Sequence, residues 1–102
     1  MRTRSIILSL SLSLVVGIAG AEPAPLSCPE LGIYTIGAAL ARDKGVAASK
    51  VKRDIDEDSN FSARDKAEMR KIVDLVYSRP RDSGTKISYT VESKCHKSSR
   101  PR

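Results

Sequence analysis

The sequence predicts an all-α fold: a small bundle of three to four helices after a cleaved signal peptide, closed by one disulfide. Three observations predict it. Apolar residues recur at three- and four-residue steps through much of the chain beyond residue 27. Serine-led capping patterns open those stretches, and glycine or proline ends them. Two cysteines, Cys28 and Cys95, stand near the two ends of what remains once an export signal is removed.

The signal occupies residues 1–21. Arg2 and Arg4 form its positive start, and Ile6 to Ala19 is an uncharged run of 14 residues. That is short of the roughly 20 residues that cross a bilayer as a helix. Ala19 and Ala21 make the small-x-small cleavage pattern, which places the cut between Ala21 and Glu22. A lipoprotein signal also ends at a cysteine, but Pro25 stands where an aliphatic residue is expected three places before Cys28. Acylation of Cys28 would also leave Cys95 without a partner. The expected order is therefore signal peptide 1–21, extended leader 22–27, helical domain 28–96 and disordered basic tail 97–102. The expected location is the periplasm or the exterior.

A mature chain of this size makes a small core and benefits from a covalent staple. Export supplies the oxidising compartment. Joining Cys28 to Cys95 closes nearly the whole domain, which contributes about 4 kcal/mol in the chain-entropy view.

The first helix is expected over about 28–44. Ser27-Cys28-Pro29-Glu30 has the capping-box spacing, with proline in the first turn. Tyr34, Ala38 and Ala41 share one face, and Ile33, Ile36 and Leu40 an adjoining one. Arg42 and Lys44 suit the negative end of the helix dipole, and Gly45 the left-handed position beyond it. Ser49 is expected to cap a shorter helix through Glu57, with Val51 and Ile55 as its buried edge. Asp54, Asp56 and Asp58 alternate as in a calcium loop. The sixth position of that loop needs glycine, and here it is Ser59, so the acidic run reads as helix surface.

Ser62 and Asp65 cap the next helix, in which Ala67, Met69, Ile72, Val73, Val76 and Tyr77 are periodic. It stops at Arg79-Pro80, because the residue before proline is pushed out of the α region. Pro80 to Gly84 is a turn. The last segment, about 85–96, fits two patterns. Ile87, Tyr89 and Val91 alternate as in a strand, while Ile87, Val91 and Cys95 are four apart as in a helix. A strand needs a partner and the mature chain offers none, so helix is the expectation.

Chemistry is largely excluded. There is one histidine, His96, and only two cysteines, too few for a His/Cys metal site. His96 beside Cys95 does not make a dyad, since adjacent side chains diverge and the cysteine is bonded. Carboxylates Glu30, Asp43 and Asp74 read as caps or surface rather than as an acid pair. With no tryptophan and one phenylalanine there is little aromatic surface to stack on sugars or bases. No catalytic residue, cofactor or metal is expected, and nucleic acid is not an expected partner.

Ala41-Arg42-Asp43-Lys44-Gly45-Val46, then Ile72 to Tyr77, Pro80 and the late Cys95 resemble a group of small exported bacterial proteins with two cysteines. The resemblance covers about 28–96. It implies a helical fold in the cell envelope and no known activity.

Charge is unevenly placed. The chain carries 18 Lys+Arg and 12 Asp+Glu, a net +6. Most of the excess lies in 79–102, through Arg79, Arg81, Lys86, Lys94, Lys97, Arg100 and Arg102. The first expectation is a non-catalytic binding protein, an inhibitor or immunity-type partner of another envelope protein, with exposed apolar residues such as Tyr34, Phe61 or Tyr89. The alternative is a cationic protein that binds anionic lipid or polysaccharide through residues 79–102.

Overall fold

The computed structural model describes residues 23–98. The signal peptide, the Ala21–Glu22 junction, Arg100 and Arg102 lie outside the described residues. Four helices make up the domain: α1 (Cys28–Asp43), α2 (Ala48–Glu57), α3 (Ala63–Ser78) and α4 (Gly84–Lys97). No strand occurs among the described residues.

Segment 85–96 is thus helical, and the strand alternative falls. Ile87, Val91 and Cys95 are all buried, as a stripe of every fourth residue requires. A strand would have placed Tyr89 on that same face, yet Tyr89 is 78 % exposed. The helix runs to Lys97 and Ser98 caps it, its amide donating to the Lys94 carbonyl and its Oγ to that of Cys95.

Local chemistry sets the other boundaries. In α1 the Glu30 amide donates to Ser27 Oγ at 3.2 Å, and the Ser27 amide donates to Glu30 Oε1 at 2.7 Å. That is the full capping box. Its far end is a Schellman turn: the Val46 amide donates to the Ala41 carbonyl and the Gly45 amide to that of Arg42. Gly45 has φ +85°, where a Cβ would be strained. Helix α4 begins at Gly84, inside the expected turn, and ends at Lys97, inside the expected tail, while the largest misplacement is the start of α2. Ser49 lies inside the helix; the cap is Ala47, whose backbone is extended and whose side chain bonds nothing. The Schellman turn fixes the chain as far as Val46, and Tyr77 Oη donates to the Val46 carbonyl at 2.6 Å. The path leaving that pinned carbonyl turns helical at once, ahead of the serine.

Helix α1 is the central element. It packs most extensively on α4, then on α3, while α2 packs chiefly on α3. The Leu26 amide donates to Asp65 Oδ2 at the start of α3, and Arg42 reaches carbonyls at its end, so α1 and α3 run parallel. Cys28 meets Cys95 with Cα atoms 5.6 Å apart, and Gly84 lies against Ile36 and Ala39, so α4 runs antiparallel. Small residues permit the α1–α4 approach. A Cβ on Gly84 would stand 2.9 Å from Ala39 Cβ, and one on Gly32 would stand 2.9 Å from Ser88 Oγ.

One core cluster joins Leu31, Ala38 and Ala39 of α1 to Ile72 and Val76 of α3, to Ile87 and Val91 of α4, and to the disulfide. A second joins Ile55 of α2 to Met69 and Val73 of α3. Leu26, Tyr34 and Tyr77 pack against both. The expected acidic run serves as surface pairing: Lys50 with Asp54, and Arg70 with Asp56.

Candidate functional site

Two surfaces flank α4, and each draws on residues far apart in sequence. The first lies on its outer side. Ile33, Ile36 and Leu40 follow one another at helical spacing on α1, and are 69 %, 38 % and 56 % exposed. Their neighbour Gly32 faces Ser88 and Glu92, and Ile36 faces Gly84. Helical geometry therefore brings Tyr89, next to Ser88, out on the same side of the α1–α4 seam. The result is an apolar stripe on two packed helices. Of the three aromatics singled out by sequence, Tyr89 is exposed, whereas Tyr34 and Phe61 are partly buried against the core.

The second surface lies on the other side of α4, where α3 and α4 diverge above α1. It is a half-open groove of about 950 Å³. Leu31, Ile72, Leu75, Val91 and Cys95 provide its apolar lining, and Arg64, Lys71, Lys94 and Lys97 its cations, with Glu68 as the single carboxylate. None of these four cations forms an ion pair among the described residues, in contrast with Lys52 on Asp74 and Lys86 on Asp82.

The basic residues expected to act together are divided. Lys94 and Lys97 join Arg64 and Lys71 at the groove. Arg79 and Arg81 flank a smaller recess of about 330 Å³ at the opposite end of α4, with Lys86 one turn into that helix. Cys28 and Cys95 form the disulfide, S–S 2.01 Å, as expected. Sequence reasoning missed Arg64 and Lys71. Their spacing of seven on α3 is a signal of a shared face, but only the position of α4 makes that face a wall. His96 is exposed beside the bonded cysteine. Among the described residues no three His, Cys, Asp or Glu side chains converge to hold a metal, and no helix is long and apolar enough to cross a membrane. The chain matches no family model, no curated protein and no solved structure.

Proposed function

We propose that this is an exported, non-catalytic binding protein that docks another protein of the cell envelope through the α1–α4 stripe. The observation that carries the reading is the exposure of Ile33, Leu40 and Tyr89 in a domain that buries smaller apolar residues, Val73 and Val76, completely. Aliphatic and aromatic side chains grouped on one outer face mark a contact surface. The disulfide and the export signal read from the sequence favour an oxidising compartment, periplasmic or extracellular. An inhibitor or immunity-type role fits a rigid scaffold of this size that presents one face.

Affinity capture from the source's own envelope extract tests the proposal. The oxidised protein is expected to retain one stoichiometric partner in raised salt. A variant carrying Ile33→Asp and Leu40→Asp is expected to lose that partner while keeping its helical circular dichroism. Absence of any stoichiometric partner, or equal capture by the variant, overturns the proposal.

A further inference from the structure

We propose that the groove between α3 and α4 is a binding site for a single-chain amphiphile with an anionic head, specifically a free alkyl carboxylate of medium chain length. The groove is polar at one end and apolar at the other. Because α3 and α4 run in opposite directions beside α1, the first turn of α3 lies level with the last turns of α4. That gathers Arg64, Lys94 and Lys97 at the pole where Cys28 and Cys95 are joined. Lys71 stands midway, and Ile72 and Leu75 line the far end. Arg64 and Leu75 are eleven residues apart on one helix, about 16 Å at the α-helical rise. A medium-length alkyl chain spans that distance.

Charge and volume agree with this occupant. Four cations against one carboxylate favour an anion, and guanidinium and ammonium groups both pair with carboxylates. The volume falls within the range of roughly 300–1,000 Å³ found for small-molecule sites. An acidic helix from a partner would be matched by cations repeated along both walls. Here three of the four cations, Arg64, Lys94 and Lys97, concentrate at one pole, and the floor beyond, flanked by Lys71, is Leu31, Ile72, Leu75 and Val91. That polarity is the signature of a head and a tail.

The test is calorimetric titration of the oxidised protein with dodecanoate below its micellar concentration. Dodecyltrimethylammonium presents the same tail on a cation, acetate presents the head alone, and dodecyl phosphocholine presents a zwitterionic lipid head. Saturable one-to-one binding of dodecanoate is expected, with no comparable binding of the other three. A Lys94→Glu, Lys97→Glu variant is expected to weaken it about tenfold or more, as loss of two charge contacts implies. Both side chains are exposed, so that variant should fold, and circular dichroism checks it. Leu75→Gln, at the tail end, should weaken dodecanoate while leaving any stripe partner bound. The Ile33→Asp, Leu40→Asp variant should bind dodecanoate normally. Absence of saturable dodecanoate binding, equal binding of the dodecyl cation or zwitterion, or an unaffected double lysine variant overturns the proposal and leaves the stripe reading untouched.

Discussion

At the end of α1, Arg42 turns inward, its side chain only 9 % exposed. Nη1 donates to the carbonyls of Val76 and Arg79 at 3.0 and 2.8 Å, and Nη2 to that of Asp82 at 2.9 Å. One planar fork thus holds the end of α3 and the linker that leads into α4. Replacing Arg42 with alanine is expected to cost roughly 2–4 kcal/mol in urea unfolding, because three carbonyls lose a charged donor. Lysine, a single point charge, should recover less than half of this. A cost below about 0.5 kcal/mol, the usual surface level, would mean that water replaces the guanidinium. Tyr34 gives a second residue-scale test. Burial, then Tyr77 and Asp54, push its hydroxyl from 10.0 up to about 12. The folded state therefore keeps the proton that the unfolded chain releases. Stability from this group is intact below pH 10 and declines as pH rises from 10 to about 12. Tyr34→Phe should flatten that decline when urea midpoints are compared across alkaline pH; an unchanged slope assigns it to other groups.

Among the elements, α2 is the weakly anchored one. Ser27, Ser62 and Ser83 each accept an amide hydrogen bond at the start of their helices, with ψ of 168°, 163° and 156°. Ala47 has the same extended backbone, φ −68° and ψ 143°, and no acceptor. Ala47→Ser is therefore expected to stabilise the domain by roughly 0.5–1 kcal/mol, read as a higher thermal midpoint. No gain would show that the Ala47 geometry differs from the three serine caps. The same comparison explains what could be read in advance. Ser27 and Ser62 declared their helices because capping is a local transaction of side chain and amide. Ser49 misled because tertiary contacts at Val46 set where α2 begins. On α1 the periodicity offered two apolar faces but not the choice between outside and inside. Close approach to α4 favours the small residues Gly32 and Ala39, which leaves the bulkier Ile33 and Leu40 outward.

At the scale of the whole molecule, the four described helices are arranged so that α4 separates an apolar stripe from a cationic groove. Neither surface is a motif, since the stripe joins α1 to α4 and the groove joins α1, α3 and α4, positions remote in sequence that only packing brings together. The disulfide was legible from the cysteine count and the expected export signal. Reducing it, or replacing both cysteines with serine, should lower stability by roughly 2–4 kcal/mol, measured from urea midpoints of oxidised and reduced protein. Coincident midpoints would mean that the unfolded chain is already compact enough for the bond to matter little. The position of that bond also has a mechanical side. Residues 28 and 95 are the first residue of α1 and nearly the last of α4, so a pull applied to the two chain ends runs through sulfur and bypasses all four helices. While oxidised, the domain can be tethered at both ends under load without being drawn out, and a reductant alone would make it extensible.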